Sequence, residues 1–350
     1  MRTGTVSMSP FGVGIIGLGM AAKPHALALQ DLSHKVQVIG AYSPSPERRA
    51  AFGQRYGFPT VSSMEALLDE ARIRAVLILT PPRTHMDLGL RAAAVGKEVL
   101  LEKPVDVDLP RAWALVEAFE ARGRTLGIVF QHRFRPGALR LAQLLREGAL
   151  GSLLSASASI RWWRSAEYFA QADRGTLARD GGGVLLTQAI HTLDLLLDLV
   201  GPAKRVLGIC RTSPLRRIDT EDIACATVIY ANGGVGVIDA TTAAYPGYPE
   251  RIELAGERGS AVLEAEALRV QCQGQPPIEV AGSSAGGGGA DPMGFSHQSH
   301  RLLLEDFIDA IEQGRSPRAG GRSALRVHAL IDAIVASSRN GEAAEVAQTD

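Results

Sequence analysis

Two short stretches carry side chains that could move a proton. In "LLEKP", Lys103 stands at the end of an apolar run, between a glutamate and a proline. In "DGGGVLLTQAIHTLDLLLDLVG", Thr187 precedes His191 by four residues and Asp194 follows by three, so all three could share one helical face. An imidazole titrates near neutral pH, so His191 could take or give the proton of a hydroxyl group. The alternatives are a core histidine bonded to a helix carbonyl and a surface lysine at a strand end.

A glycine turn near the start of the chain could hold a pyrophosphate. "GVGIIGLGMAAKPH" places Gly17, Gly19 and Ala22 in the G-x-G-x-x-A arrangement. Gly17 permits the tight turn, Gly19 lets the backbone approach the phosphates, and Ala22 allows close packing of helix on strand. The pattern alone is weak evidence, but an apolar strand precedes it and a helical pattern follows. It therefore predicts a dinucleotide site at a helix N-terminus.

The end of the second apolar run bears on the choice of cofactor. A dinucleotide-binding fold usually offers an acid to the adenosine ribose about twenty residues after the glycines. Here, in "GAYSPSPERR", Ser43 takes that place, with Arg48 and Arg49 nearby. This arrangement tolerates a 2′-phosphate better than a carboxylate would, so NADP is slightly favoured and NAD stays open. An exposed helix start is an equal alternative for the two arginines.

The elements that position these residues form two groups, and 350 residues favour two domains. Over residues 1–130, continuously apolar runs alternate with helical patterns: "VGIIGL", "KVQVIGAY", "RAVLIL", "KEVLLE" and "TLGIVF". Strands buried on both faces and separated by helices indicate a parallel, doubly wound α/β sheet of the Rossmann type. Pro104 places Lys103 at the carboxyl end of one strand, where such sheets bind ligands.

Residues 131–350 have a different order of elements. An amphipathic helix over Ala138 to Arg146, a strand in "SLLSASASIRWW" and a helix from about Val184 to Leu199 come first. Five strands with short turns then follow, which indicates an α+β domain with a large, mostly antiparallel open sheet. Two helical patterns, "HRLLLEDFIDAIEQG" and "ALRVHALIDAIVASS", should close the structure and could pack back on the first domain.

Composition and charge limit the kinds of partner that we expect the protein to bind. Lys and Arg together number 37, as do Asp and Glu, so no net charge favours nucleic acid or a membrane surface. No apolar stretch has the length of a membrane span, and "MRTGTVSMSP" has no features of an export signal, so we expect a cytoplasmic protein with a disordered start. "AGSSAGGGGA", Ala281 to Ala290, should be a mobile loop.

The cysteines and histidines do not indicate a metal site. Three scattered cysteines fit buried thiols in a reducing compartment. His297 and His300 are spaced i, i+3 but lack an acidic neighbour, so a helix start is the stronger interpretation.

These motifs together resemble the Gfo/Idh/MocA family of NAD(P)-dependent oxidoreductases, which is named after glucose/fructose oxidoreductase, inositol dehydrogenase and a rhizopine catabolism protein. The resemblance covers nearly the whole chain. It depends on these motifs in this order: "GIIGLGMAAKPH", "TPPRTH", "LLEKP", "VFQHRFRPG", "DGGGVLLTQAIHTLDLLLDLVG" and "YPGYPERIELAGERGSAVLE". It implies a Rossmann domain followed by an α+β domain whose open sheet makes a homodimer or homotetramer.

The resemblance also implies roles for individual residues. Lys103 matches the lysine of the family's E-K-P motif, which bonds the reacting oxygen, and His191 matches the proton donor or acceptor. The cofactor residues would be Gly17, Gly19, Met20, Ala22, Ser43, Arg48, Thr80, Pro81, Pro82, His85, Glu102 and Lys103. The substrate residues would be Gln131, His132, Arg133, Trp163, Arg164, Tyr168 and Gln188, with Arg164 suited to a carboxylate or phosphate.

One departure concerns the catalytic group. Many members carry an aspartate four residues before the histidine, where this chain has Thr187. We count Thr187 with Lys103 and His191 in the catalytic group. Without the acid, Lys103 is the stronger candidate for the proton acceptor, and His191 would mainly hold a substrate oxygen.

The sequence predicts hydride transfer between the nicotinamide of NAD or NADP and a hydroxyl or ketone carbon of a sugar, cyclitol or sugar derivative. Two alternatives stay open. One is a regulator that senses the cofactor or a sugar without turnover. The other is a redox-neutral glycosidase that uses tightly held NAD.

Overall fold

The computed structural model describes residues 10–170, 174–282 and 296–349. The predicted disordered start, up to residue 9, lies outside the described residues. So do residues 283–290 of the segment predicted to be a mobile loop.

The first sheet is five-stranded and parallel, as predicted. Its strands are β1 Phe11–Ile16, β2 Val36–Tyr42, β3 Ala75–Ile78, β4 Glu98–Leu101 and β5 Leu126–Ile128, in the order β2-β1-β3-β4-β5. Every residue of β1, β3, β4 and β5 is buried, because helices cover both faces of the sheet. The strand order reverses between β1 and β3, which is where such sheets bind ligands.

Side-chain caps lie at the start of several helices in the first part of the chain. The helices are α1 Ala22–Asp31, α2 Pro46–Tyr56, α3 Met64–Leu68, α4 His85–Ala94 and α5 Leu109–Glu120, with a 3₁₀ turn at Pro82–Thr84. The hydroxyl of Ser45 and the carboxylate of Asp108 accept from backbone N–H groups in the first turns of α2 and α5. Helix α1 has no side-chain cap; its first two N–H groups donate to the carbonyls of Gly19 and Met20 (3.1 and 3.5 Å), and its third residue, Pro24, has no N–H.

The second sheet has nine strands and is mixed. Its strands are β6 Leu153–Arg161, β7 Ala203–Arg211, β8 Ile223–Tyr230, β9 Val235–Thr241, β10 Arg251–Gly256, β11 Gly259–Glu264, β12 Ala267–Cys272, β13 Ile278–Val280 and β14 Ala344–Glu345. The order is β13-β12-β11-β10-β6-β9-β8-β7-β14, and all neighbours are antiparallel except β6 and β9. Alternate residues of β8 are buried, so one face of the sheet packs on helices and the other does not.

The helices of the second part follow the predicted order. They are α6 Pro136–Arg146, α7 Ala166–Phe169, α8 Leu177–Asp180, α9 Ile190–Val200, α10 Gln298–Gln313 and α11 Gly321–Asn340, with a 3₁₀ turn at Gln131–Phe134 and a π turn at Leu185–Ala189. The segment Leu177–Val200 is apolar enough to resemble a membrane span, but 83% of its most apolar window is buried in the protein. It is a core segment of the second part.

The last two helices contact both parts of the chain. Helix α10 contacts α1, and α11 contacts α5 and β7. The N–H of Ile128 in β5 donates to the carbonyl of Ala319, so the segment before α11 covers the edge of the first sheet. The division of the chain at residues 130 and 131 stays a prediction.

Candidate active site

The glycine turn lies directly after β1, as the motif predicts. Gly17 has a φ of +101°, and a Cβ there would lie 2.7 Å from the backbone of Leu79. Gly19 is exposed, and a Cβ on it would meet no atom within 4 Å. Ala22 is buried at the start of α1, whose N-terminus is uncapped. The turn therefore offers backbone N–H donors and open space, which fit a pyrophosphate.

The residues near the predicted ribose site do not decide between NAD and NADP. Ser43 is buried after β2, while Arg48 is exposed in the first turn of α2. The guanidinium of Arg49 donates to the carbonyl oxygens of Ser43 and Pro44. No contact of the described residues supports a preference for a 2′-phosphate.

The segment after β3 lies beside the glycine turn. Thr80 and Pro82 are half-buried, Pro81 is exposed, and Met20 of the glycine turn is also exposed. His85 is fully buried, with Nε2 2.9 Å from the carbonyl oxygen of Thr80 and Nδ1 2.9 Å from that of Pro104. Burial lowers the pKa of His85, so the neutral ring donates from one nitrogen only, and it lies between the segments after β3 and β4.

Lys103 lies just past the carboxyl end of β4, and its neighbour Glu102 is engaged on both oxygens. One oxygen of Glu102 accepts from the backbone N–H of Lys103 (3.1 Å), and the other lies 3.2 Å from Nε2 of His25. The Lys103 amine donates to the carbonyl of Thr187 (2.7 Å), which joins the two parts of the chain. Burial lowers the pKa of Lys103, and the positive charges of Arg174 and Arg164 lower it further against the opposing effect of Glu102.

The carbonyl that holds Lys103 comes from a π turn. Gly181 has a φ of +76°, and a Cβ on Gly183 would lie 1.9 Å from the carbonyl oxygen of Glu221. The carboxylate of Glu221 accepts from the N–H groups of Gly183 and Leu185 (3.0 and 3.2 Å). The Thr187 hydroxyl donates to the carbonyl of Gly183 (2.7 Å). The glycines thus permit a close contact that holds the start of the turn.

The helical face expected to join Thr187, His191 and Asp194 does not form. Asp194 is buried in an ion pair with Arg133, with Nε–Oδ2 and Nη2–Oδ1 distances of 2.7 and 2.6 Å. The π turn widens the helix before residue 190, so the ordinary helical spacing does not hold across it. Asp194 therefore does not take the place of the family's aspartate beside His191.

His191 instead stacks on His132. Their ring centroids are 4.9 Å apart, and Phe130 meets His191 edge-on at 6.1 Å. Burial lowers the pKa of both histidines well below the usual range, and Lys103 contributes to the lowering in each case. No described residue bonds the buried Nδ1 atom of either ring. Both imidazoles are therefore neutral at neutral pH, and because Nδ1 is buried in each, Nε2 is the ring nitrogen that could meet a ligand.

The other two residues of the "QHR" segment differ in their surroundings. Gln131 is buried, and its Oε1 atom has no partner among the described residues. The Arg133 side chain is 4% exposed and also bonds Asp198 (3.1 Å) and the carbonyl of Arg318 (2.8 Å). Although burial opposes it, Asp194 and Asp198 raise the pKa of Arg133. The structure does not place Arg133 with the substrate residues, because its donors are engaged within the protein.

The predicted substrate residues Trp163, Arg164 and Tyr168 lie on the segment after β6. Tyr168 is half-buried, and its hydroxyl accepts from Nε2 of Gln188 (3.0 Å) and from Nη1 of Arg174 (2.8 Å). The guanidinium of Arg164 lies 5.6 Å from the centre of the Tyr168 ring. Trp163 packs elsewhere, against Tyr245 and under Arg216.

Sequence reasoning missed Glu221, Arg174 and His25. Glu221 holds the π turn from 36 residues away along the chain, and no local pattern shows such a contact. His25 could have been found, since it follows the glycine turn by one helical turn in "GMAAKPH". Arg174 had no signal, because nothing in the sequence relates it to Tyr168.

The parallel first sheet and its glycine turn are those of a Rossmann-type oxidoreductase, and comparison with known proteins gives the same class. Residues 11–130 match the model of the oxidoreductase family with an NAD-binding Rossmann fold, and residues 138–262 match the GFO/IDH/MocA C-terminal domain. The chain belongs to the Gfo/Idh/MocA family of NAD(P)-dependent oxidoreductases.

Several relatives match nearly end to end. Inositol 2-dehydrogenase of Rhizobium meliloti (strain 1021) is 27% identical over 93% of this chain and 96% of the relative. A solved levoglucosan dehydrogenase in complex with NADH and levoglucosan has a TM-score of 0.88 at 25% identity, covering 97% of this chain and 100% of that one. The WlbA dehydrogenase of Bordetella pertussis, solved with NADH and UDP-GlcNAcA, has a TM-score of 0.84 at 25% identity, with the same coverage. Both solved relatives hold NADH, so the preference for NADP remains without support.

Proposed function

We propose that this protein transfers a hydride between nicotinamide and a hydroxyl-bearing or ketone carbon of a sugar, a cyclitol or a sugar derivative. The observation that carries the proposal is the Lys103 amine, which the carbonyl of Thr187 holds and which lies close enough to the His191 ring to lower its pKa. NAD or NADP supplies the hydride acceptor or donor when bound, at the site that Gly17, Gly19 and Ala22 form.

In this proposal Lys103 bonds the reacting oxygen and exchanges its proton. Its pKa is lowered, first by burial, so more of the amine is neutral near neutral pH and can accept a proton. The carbonyl of Thr187 orients the amine, which gives Thr187 a role through its backbone. His191 holds a substrate oxygen through Nε2, since its Nδ1 atom is buried.

The substrate class comes from the relatives together with the cleft. Inositol 2-dehydrogenase and levoglucosan dehydrogenase are named for a cyclitol and an anhydrosugar. In this chain Gln188 follows Thr187, whose carbonyl bonds Lys103, and the Gln188 amide and Tyr168 hydroxyl are polar groups that suit a compound rich in hydroxyl groups. Gln131 and His132 complete this side of the proposed substrate site.

The test is nicotinamide absorbance with NAD and NADP in turn, against sugars, cyclitols, uronates and their keto forms. We expect turnover with at least one member of the panel, and the preferred cofactor follows from the same rates. Cofactor binding without any change in absorbance would contradict the proposal. Hydrolysis of a glycoside without net cofactor reduction would then indicate the redox-neutral glycosidase, and no hydrolysis would indicate the sensor.

We also propose that the protein acts in the cytoplasm as a homo-oligomer. The three cysteines are free thiols, which fits a reducing compartment. The uncovered face of the second sheet is apolar along neighbouring strands: Leu207, Ile209, Ile229, Val235 and Val237 are 43–60% exposed. An apolar face of this kind on an open sheet favours a second copy of the chain as its partner.

A further inference from the structure

Helices α1 and α10 contact each other and hold three histidines that the proposed function does not use. His25 of α1 and His300 of α10 are buried (0% and 2% exposed), and their rings meet edge-on with centroids 5.1 Å apart. His297 precedes His300 by three residues, directly before α10, and its Nε2 atom lies 2.8 Å from the carboxylate of Asp31 at the end of α1. The three rings thus form a series between the two helices.

Glu102 connects the inner end of this series to the catalytic lysine. One oxygen of its carboxylate lies 3.2 Å from Nε2 of His25, and the other accepts from the backbone N–H of Lys103 (3.1 Å). Burial lowers the pKa of the Lys103 amine, and Glu102, which has the largest effect among the charged groups, raises it. The same carboxylate therefore contacts His25 and acts on the amine.

The outer end of the series reaches the surface. The side chain of His297 is 25% exposed and that of Asp31 is 40% exposed, whereas the side chain of His25 is completely buried. His297 is close enough to His300 to lower the pKa of the buried ring. A hydrogen bond, a ring contact or one helical turn thus joins each member of the series to the next, from the active site to water.

The reaction needs a path for a proton. When an alcohol gives its hydride to the nicotinamide, the hydroxyl proton passes to the Lys103 amine, which becomes an ammonium group and has to lose that proton before the next turnover. A bound substrate and cofactor exclude bulk water from such a cleft. An imidazole can take a proton on one ring nitrogen and release it from the other. In His25, Nε2 faces Glu102, and no described residue bonds the buried Nδ1 atom.

The surroundings of His300 do not prevent rapid transfer. Burial lowers the pKa of His300 well below the usual range, and His25, His297 and Arg135 lower it further. Arg135 is itself paired with Glu250. A proton therefore does not remain on the buried ring. A transfer step that is unfavourable by a factor of about 10⁵ still proceeds about 10⁷ times per second, which exceeds typical kcat values of about 1–10³ s⁻¹.

We propose that three histidines and a glutamate form a proton relay from the Lys103 amine to the surface, in the order Glu102, His25, His300 and His297. In the oxidation direction the ammonium group returns to the amine by giving its proton to the Glu102 carboxylate. His25 and His300 carry the proton on to His297, which releases it to water, and reduction uses the reverse order. This inference rests on the proposed function, because it assigns the path of the proton that this reaction releases.

The test uses two substitutions of His300, which lies far enough along the series not to touch the substrate in this proposal. His300→Phe keeps a ring but removes both nitrogen atoms, and His300→Ala leaves a space in which an imidazole molecule fits. The probe is myo-inositol with NAD, or the member of the sugar and cyclitol panel that turns over faster. We expect kcat for oxidation in weak buffer to fall about tenfold in both variants, less than for loss of the lysine, because water still takes the proton by slower routes.

Added imidazole separates a relay from a structural role. At constant pH and ionic strength it should restore most of the lost kcat in His300→Ala but not in His300→Phe, where the ring fills the space. His34→Ala is the control, because His34 is an exposed histidine beyond the end of α1. Its kcat should equal that of the unaltered protein, with and without imidazole. Melting temperatures and NADH titration show that each variant is folded and binds the cofactor.

Unchanged kcat in both His300 variants would overturn the inference, as would imidazole that restores both variants or neither. Failure of the proposed function gives a different result. If the unaltered protein oxidises no member of the panel, the dehydrogenase and the relay are both wrong. If it turns over and the His300 variants do so equally well, only the relay is wrong.

Discussion

At the scale of single residues, the lowered pKa of Lys103 depends on its neighbours. Arg174 is one of the charges that lower it, so Arg174→Gln should raise the pKa of the amine. In the oxidation direction the neutral amine accepts a proton, so kcat/KM rises with pH through this pKa. We expect the midpoint of that rise to move to higher pH in Arg174→Gln, as measured in pH profiles with a neutral substrate. Arg161→Gln, which alters an exposed arginine that pairs with Asp239, should keep the original midpoint, and an unmoved midpoint in Arg174→Gln would contradict this account.

The residues that the sequence identified are those whose chemistry is visible locally. The glycine turn, Lys103 and His191 all stand in short motifs with a defined place after a strand or in a helix. The surroundings of Arg133 could not be read in this way. Its partner Asp194 is 61 residues away, and a motif does not show whether an arginine faces a cleft or a buried carboxylate.

At the scale of elements, the ion pair between Arg133 and Asp194 joins the 3₁₀ turn after β5 to helix α9. Arg133→Met leaves Asp194 buried without its partner, which should cost about 3–5 kcal/mol in the free energy of unfolding. Urea unfolding followed by circular dichroism measures this loss.

A second variant separates loss of the pair from loss of packing. Arg133→Met combined with Asp194→Leu removes both charges and should recover part of the stability. If the double variant were as unstable as the sum of the two single variants, the buried charge would not be the cause.

The π turn is held by Glu221, and it in turn holds Lys103. Glu221→Gln keeps the size of the side chain but weakens the bonds to Gly183 and Leu185. We expect kcat to fall about tenfold, with NADH affinity unchanged, because only the carbonyl of Thr187 shifts relative to Lys103. Stopped-flow turnover and NADH fluorescence titration give the two values. Equal losses of kcat and of NADH affinity would show that the π turn does not act through the Lys103 amine alone.

The helix over residues 184–199 was predicted, but the π turn at its start was not. Over a few residues, the spacing of apolar residues does not distinguish a π turn from an α-helix. The π turn depends on Glu221 and on the three glycines that allow Glu221 to approach the backbone. The strands could likewise be predicted from their apolar patterns and from the turn residues between them. The parallel pairing of β6 with β9 was not, since it depends on contacts far apart in the chain.

At the scale of the whole molecule, buried histidines make stability depend on pH. His328 is buried, accepts from the N–H of Val105 (3.1 Å), and has its pKa lowered by burial to about 4. A lowered pKa means that the unfolded chain binds the proton more readily. The stability is therefore complete above about pH 6.5, the ordinary histidine value, and is lost as pH falls toward 4.

This one group should account for a loss of about 3 kcal/mol over that range. Urea unfolding at pH 7.5 and pH 5 should show the decrease. His328→Gln removes the titrating group, so its free energy of unfolding should change less between the two pH values. An identical pH dependence in the variant would assign the effect to other groups.

The exposed face of the second sheet should control assembly. Ile209 is 60% exposed on β7, so Ile209→Glu places a charge in the apolar face without disturbing the core. We expect the oligomer to dissociate toward smaller species, as measured by sedimentation velocity. An unaltered protein that is monomeric at all concentrations would contradict the assignment of this face to a second copy.

The most direct test of the central claim compares the unaltered protein with Lys103→Met in steady-state turnover and in NADH binding. Methionine keeps the length of the side chain but removes the amine that the Thr187 carbonyl holds. Our account predicts a fall in kcat of about a hundredfold or more, the contribution of a positioned proton-transfer group, with the dissociation constant of NADH changed by less than about threefold. Turnover that survives in Lys103→Met would contradict it.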